Sequence, residues 1–324
     1  MAYQFLIYSR DKAKIWDCKN LVQEVKVTTN RTGSPGKLTF TLLKTPEIDL
    51  QEGDLVQFLV DGTKVFAGFV FTQKIDRWGV VDVTCYDQTR YLLANQSYVF
   101  TGKKAGDIIR QIAGDFGLQV GEIEDTGYTI PSLVQENKPC LDMIAYAIER
   151  TTSNTGDIFV FYDDFGKLCL KKASHLMRNQ VLGKGSLVGE YTYTSDIDSE
   201  TYNQIKLVRP NKETGRADTV IFKDTGSIQK WGLLQYYNSV DENLNDAQMQ
   251  EQAKTMLAYY NRTLQKLSIE SLGVVGLRAG AMVYLNLPDI GGKKISRFLL
   301  LDKVDHTFQP SFHTMSAEMR VVEG

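Results

Sequence analysis

Cysteine is scarce in this chain. Cys18, Cys85, Cys140 and Cys169 are the only four in 324 residues, and no C-x-x-C occurs. Their wide spacing excludes a disulfide framework or a zinc knuckle. Cys85 in VVDVTCYD and Cys169 in KLCLKK sit in strand-like segments and read as small buried apolar residues. Long apolar runs are also missing. The opening MAYQFLIYSRDKAKIW is too short in its apolar stretch for a signal sequence, and nothing later approaches a membrane span. The expectation is a chain made and folded in the cytoplasm. No charge of one sign dominates: the formal charge is −2 and the pI about 6.0. That balance gives no general attraction to nucleic acid or anionic lipid.

Catalytic signatures are absent too. The chain has no G-x-S-x-G, no H-E-x-x-H and no G-x-x-x-x-G-K-[ST]. Gly183-Lys184-Gly185-Ser186 with Gly189 is one residue too long for a dinucleotide fingerprint and leads into strand-like EYTYT, so it reads as a loop. Asp196, Asp198 and Glu200 alternate like the start of a calcium loop, but Thr201 and Leu207 stand where that loop needs Gly and Glu. Of the histidines His175, His306 and His313, the last two can approach each other on neighbouring strands, in structural roles more readily than as ligands. Asp163 and Asp164 invite comparison with a glycosidase pair, but adjacent residues at a hairpin tip normally make the turn.

What is present is ordinary globular material, 43% hydrophobic and 23% charged, ample for packed cores. Residues 21–98 read as β. In KLTFTLL, Leu38, Phe40 and Leu42 share one face; Asp61-Gly62 marks a hairpin; VVDVTCYD alternates again. Short strands joined by glycine-containing turns point to a barrel or sandwich. After Phe100 the period changes. Ile108, Ile109, Ile112, Ala113 and Phe116 recur at helical spacing with Thr101 as N-cap and Gly117 as stop, and KPCLDMIAYAIER makes a second helix with Pro139 at its first position. A hairpin turning at residues 163–166 follows. From about residue 179 the chain returns to β around one long helix, NDAQMQEQAKTMLAYYNRTL, opened by an Asn245/Gln248 capping box.

The two β regions repeat one another. Lys37-Leu38-Thr39-Phe40-Thr41 answers to Lys266-Leu267-Ser268-Ile269-Glu270, and Gly53-x-x-Val56-x-Phe58 to Gly280-x-x-Val283-x-Leu285. Lys74-Ile75-Asp76-Arg77 answers to Lys303-Val304-Asp305-His306, and Val83-Thr84-Cys85 to Met315-Ser316-Ala317. Upstream, Val25-Lys26-Val27 is matched with Ile205-Lys206-Leu207. This implies a duplication: if residues 53–60 pair with 66–72, then 280–287 pair with 297–304.

Several phrases, in order, resemble the baseplate hub family of contractile phage tails and phage-like elements of Gram-positive bacteria. They are GDLVQFLVDGTKVFAGFV, YDQTRYLLANQ before TGKKAGDIIRQIA, YDDFGKLCL, EYTYTSDIDSETYNQIKL, SIQKWGLLQYYNSVDEN, and LRAGAMVYLNLPDI with DKVDHTF and HTM. The resemblance runs from about residue 35 to the end. It implies a mainly β fold with α+β parts: a first tube-like barrel over residues 1–98, a small α+β domain over 99–178, and a second barrel over 179–324 with a helical insert at about 211–265. It also implies a structural part rather than an enzyme, needing no cofactor or metal. Three subunits, two barrels each, would form a pseudo-sixfold ring in the baseplate of a phage tail or bacteriocin-like particle. Implied partners are further copies of the chain, the tail tube protein, the central spike, and other baseplate and tape-measure components, with no stable grip on nucleic acid or membrane. The alternatives from other classes are a tail-associated cell-wall hydrolase and a carbohydrate-binding module; Trp16, Trp78 and Trp231 are too scattered for an aromatic platform. The polar strand faces carry Thr39, Thr41, Asp82 and Thr84 in the first copy and Ser268, Glu270, Thr314, Ser316 and Glu318 in the second. These small, hydroxylated or acidic positions are expected to form the neutral-to-negative wall of a lumen that passes DNA or protein without holding it; the alternative for them is an ordinary solvated outer face.

Overall fold

The computed structural model describes residues 1–11, 13–183, 187–211, 216–240, 242, 244–290 and 293–321. Residues 1–192 and 268–319 form one compact unit; residues 193–267 and 320–324 form another. Along the chain run β1 (Tyr3–Tyr8), β2 (Ile15–Asp17), β3 (Val22–Asn30), β4 (Lys37–Leu43), β5 (Leu55–Val60), β6 (Thr63–Ile75) and β7 (Val80–Tyr86). Then come β8 (Asn95–Lys104), α1 (Ala105–Asp115), β9 (Val120–Ile123), β10 (Thr129–Pro139), α2 (Cys140–Thr155), β11 (Phe159–Asp163), β12 (Leu168–Lys172), β13 (Met177–Gly183) and β14 (Val188–Asp196). They are followed by β15 (Gln204–Asn211), β16 (Arg216–Lys223), α3 (Thr225–Trp231), β17 (Gln235–Ser239), α4 (Asp246–Tyr260), β18 (Leu264–Leu272), β19 (Met282–Ile290), β20 (Lys293–Phe308) and β21 (His313–Val321). The fold is mainly β, in several sheets.

The first unit is built on one large sheet with the order β14-β18-β21-β20-β3-β4-β7-β6-β5-β1-β2; β19 pairs with β20, and β13 with β19. The alternation in KLTFTLL buries Leu38, Phe40 and Leu42. They pack with Phe5, Phe58 and Phe308, whose rings meet at 4.7 Å (Phe5–Phe40), 5.7 Å (Phe5–Phe58) and 5.0 Å (Phe58–Phe308). Each such ring contributes about 1.5–3 kcal/mol by leaving water. Asp61 and Gly62 turn β5 into β6 with φ of 47° and 77°, the left-handed pair that a two-residue hairpin requires.

The expected hairpin pairs exist in both halves: Leu55↔Phe69 and Val56↔Gly68 in β5–β6, Met282↔Leu300 and Val283↔Leu299 in β19–β20. The strand order β3-β4-β7-β6-β5 recurs as β14-β18-β21-β20-β19. The likeness extends to backbone detail. Gly53 N–H donates to Val70 O (2.8 Å) and Val70 N–H to Asp54 O (2.9 Å); Gly280 N–H donates to Leu301 O (2.8 Å) and Leu301 N–H to Ala281 O (2.9 Å). Both glycines have positive φ, 91° and 86°. One residue later each long strand bulges against its partner, between Val70 and Thr72 and between Leu301 and Lys303.

Those landmarks correct the sequence matches in two places. Lys303 corresponds to Thr72 and not Lys74, and Met315 to Val81 and not Val83, a slip of two residues. A strand's side chains repeat every second residue, so a slip of two preserves every inward and outward position and leaves no trace in the pattern. The strand answering to β3 is β14, not Ile205-Lys206-Leu207. That segment lies in β15, in a separate sheet of order β16-β15-β17. There Ile205 and Leu207 are buried with Met249 and Ala253 of α4. The Asn245/Gln248 capping box forms, with reciprocal bonds of 2.9 Å.

Helices α1 and α2 pack on the β8–β10 ribbon and the β11-β12-β9 sheet through Ile108, Ile109, Ile112, Leu141 and Ile144. Thr101 is not the N-cap of α1. It pairs with Ser132 inside β8, which runs on to Lys104, so the ladder outcompetes the earlier cap. Pro139 precedes α2 by one residue, and Gly117 (φ 63°) ends α1 as expected.

Candidate functional site

The ladder registers of the large sheet carry polar rows across strands. Thr314, Thr307, Lys26, Thr39, Thr84 and Thr72 stand opposite one another in sequence across β21, β20, β3, β4, β7 and β6. A neighbouring row holds Ser316, Asp305, Thr28 and Lys37; others hold Glu318 with Lys303, and Thr41 with Asp82 and Lys74. On β18, Ser268 and Glu270 alternate with buried Leu267, Ile269 and Ser271. Thr39, Thr41, Asp82, Thr84, Thr314, Ser316 and Glu318 thus share one face, because β3 and β20 zip the two halves together edge to edge; Ser268 and Glu270 lie on the solvent side of the strand beyond β21.

The sequence reading of that face missed the lysines between these residues. Lys26 pairs with Glu24 (2.9 Å), and Lys303 with Asp305 (2.7 Å) and Glu318 (3.6 Å). Thr28 Oγ1 donates to Asp305 (2.6 Å), and Thr41 Oγ1 to Asp82 (3.0 Å). The hydrogen bond to Asp305 raises the Lys303 pKa, and the one from Lys26 holds Glu24 below the usual carboxylate range. The face is therefore hydroxyl-rich and charge-balanced rather than acidic.

Behind it lies a buried polar joint. The connection between β18 and β19, residues 273–281, buries Leu277, Ala279 and Ala281. Ala279 N–H donates to Thr29 Oγ1 of β3 (2.9 Å). Arg278 is buried. It donates from Nη1 to the Asp163 carbonyl (2.7 Å) and lies over the Tyr162 ring at 4.2 Å. Asp87 caps the 3-10 turn Gln88–Leu93, accepting from Thr89 N–H and Gly36 N–H (both 3.0 Å). Asp163 Oδ1 accepts from Gly166 N–H (2.7 Å) and closes the hairpin. Burial pushes Asp87 up to about 6; burial and then the charge of Asp87 push Asp163 up to about 7. Asp163 does make the turn, and it is buried along with Asp87.

On the other side of the same loop, His306 and His313 meet at 2.9 Å, and His306 Nε2 lies 2.6 Å from Leu277 O. A carbonyl only accepts, so His306 carries its proton on Nε2, and its Nδ1 accepts a hydrogen bond from His313 Nε2–H. Both imidazoles are neutral. Burial, then the neighbouring His306, lowers His313 to about 4. Among the described residues no group of His, Cys, Asp or Glu is arranged to hold a metal. His175 stands apart, 3.0 Å from Glu124, and all four cysteines are free and buried. Asp196 accepts from the amides of Asp198 and Ser199 (both 3.2 Å), as a polar loop does. Of the glycine-rich phrase, Gly183 ends β13 and residues 184–186 lie outside the described residues. No helix among the described residues is long and apolar enough to cross a membrane. Asp87 and Arg278 escaped the sequence reading. Their signals were a carboxylate ahead of QTRYLL and a lone charge inside GLRAGA.

This architecture is a tail-protein fold. It superposes on the prophage MuSo2 43 kDa tail protein from Shewanella oneidensis with a TM-score of 0.70, at 11% identity over 98% of each chain. The chain belongs to the YqbQ-like family, whose model matches residues 25–320. It is 35% identical over 274 residues to the uncharacterized protein YqbQ of Bacillus subtilis, covering 83% of this chain and 82% of that one. It is 33% identical over 273 residues, with the same coverage, to the phage-like element PBSX protein XkdQ of the same organism.

Proposed function

We propose that this chain is the structural hub of a baseplate in a contractile phage tail or phage-derived particle. In this reading each subunit contributes two tube-like β-barrels, with residues 99–178 as a separate α+β domain between them. Three subunits make a pseudo-sixfold ring that joins the tail tube to the central spike and continues the lumen. The observation that carries the reading is the duplication, with Gly53/Val70 and Gly280/Leu301 held by the same backbone bonds. Two equivalent half-sheets in one chain are what a threefold part needs in order to meet a sixfold tube. Likeness to a tail protein and to a phage-like element protein supports the setting.

The hydroxyl-rich, charge-balanced face would line the lumen, where it hydrates a passing polymer without holding its phosphates. The role asks for binding and rigidity, not catalysis, and the buried joint supplies rigidity by tying the β18–β19 connection to β3 and to the β11–β12 hairpin. Native mass of assembled baseplates tests the proposal. Three copies per ring are expected; six copies would overturn the reading of two barrels per subunit.

A further inference from the structure

The duplication extends to the ends of the hairpins. Met315 corresponds to Val81, so three residues earlier Phe312 corresponds to Trp78. One backbone bond gives the same alignment on the neighbouring strand. Lys44 N–H donates to Gly79 O (2.8 Å), and Gly273 N–H donates to His313 O (2.8 Å). Leu272, the last residue of β18, therefore corresponds to Leu43, the last residue of β4. Each leucine ends the polar side of its strand, after Thr39 and Thr41 on β4 and after Ser268 and Glu270 on β18.

All four side chains are open to solvent. Leu43 is 55% exposed and Leu272 56%; Trp78 is 71% exposed and Phe312 48%. Apolar residues scattered singly over a surface need no explanation. Here an exposed leucine and an exposed ring recur at the same two positions of both half-sheets. Both tips are also rigid. Asp76 Oδ1 accepts from Trp78 N–H and Val80 N–H (both 2.8 Å), and Arg77 lies over the Trp78 ring at 4.4 Å. In the second tip Gln309 N–H donates to Phe312 O (2.9 Å). Gln309 O accepts from the Tyr3 hydroxyl and its Nε2 donates to Glu24 (both 2.7 Å). A ring held on a rigid turn loses little conformational freedom on binding.

Area and number select the occupant. A ring offers about 150–250 Å² even when wholly covered, whereas a stable one-to-one interface takes about 800 Å² from each partner. One ring and one leucine fall short of that, so a partner gripped at a single tip would not stay. A partner that seats every tip at once gains by linkage. Equivalent tips call for equivalent sockets, and hence for two subunits of the partner per copy of this chain.

We infer that Leu43 with Trp78, and Leu272 with Phe312, form one docking surface used twice per chain, and that its occupant is a homo-oligomeric protein offering one apolar socket per subunit. Within the ring reading above, on which this rests, that occupant is the end of the tail tube.

Full-length chain carrying the photocrosslinker benzoylphenylalanine at position 78 or at position 312, assembled into particles with the tube protein, tests the surface. Both positions are expected to cross-link to the tube protein, with three copies of this chain per ring by native mass. Cross-links to two different proteins, to the spike or to this chain itself overturn the docking surface, as does the absence of any cross-link. With three copies per ring, those outcomes leave the hub reading standing. Six copies per ring overturn the ring reading, and the count of two sockets per chain with it. W78E/F312E is the second variant. Both rings are already exposed in the subunit, so its thermal unfolding should not move and rings of three should still form. The fraction of rings carrying a tube, counted by electron microscopy, should fall about tenfold or more. An unchanged fraction would also overturn the docking surface.

Discussion

The buried polar joint gives individual residues opposite responses to pH. His313 is held at about 4 in the folded chain against an ordinary 6.5. Above 6.5 its neutral form costs nothing; as pH falls from 6.5 towards 4 the unfolded chain takes up a proton that the folded chain refuses, and stability is lost. The loss should be on the order of 3 kcal/mol across that window. Urea unfolding of wild type and His313→Gln at pH 7 and pH 4.5 reads it, and the variant should show the smaller drop. Asp87 and Asp163 act in the other direction. With folded values of about 6 and about 7, their contribution is complete below 3.8 and is lost as pH rises towards 7. Asp163→Asn keeps an oxygen for the Gly166 amide and removes the ionisable group. Relative to wild type it should therefore be more stable at pH 8 than at pH 5, and an unchanged difference would mean that Asp163 is ionised throughout.

Among the elements, the β18–β19 connection is closely constrained at Gly280. A Cβ on Gly280 would lie 2.3 Å from Val160 Cγ1, at a φ of +86° that already disfavours a side chain. Gly62, at +77° in an open hairpin turn, would meet nothing within 4 Å. Gly62→Ala should cost about 1 kcal/mol from backbone conformation alone. Gly280→Ala should cost roughly 2–4 kcal/mol, because conformational strain and overpacking add. Equal melting shifts for the two variants would show that the connection yields where the close contact requires it to hold. The capping box and the Asp61-Gly62 turn were readable beforehand because a few adjacent residues determine them. The end of β8 was not: Thr101 is a good local cap, and only pairing with β10 explains why it lies in a strand.

For the whole molecule, the interleaving of Lys26, Lys37, Lys74 and Lys303 with Asp82, Asp305 and Glu318 sets the charge of the polar face. Purified chain should not retain double-stranded DNA at physiological ionic strength. A D82N/D305N/E318Q variant leaves the lysines uncompensated and should retain DNA in a salt-dependent way, read by filter binding over rising salt. Retention by the wild-type chain would rule out the proposed lumen wall.

By itself the sequence determined which side of each strand is wet, where the hairpins turn, and that one β pattern occurs twice, since alternation and turn chemistry are local. It did not determine the register of the repeat, because a two-residue slip keeps every side chain on its face. Nor did it show that β14 rather than β15 takes the place of β3, since both alternate and only sheet order separates them. The Asp87, Asp163 and Arg278 joint and the zipping of β3 to β20 were decided by tertiary structure alone. Their partners lie far apart along the chain, and the burial that shifts their protons and fixes their pairing exists only once the sheet has closed over them.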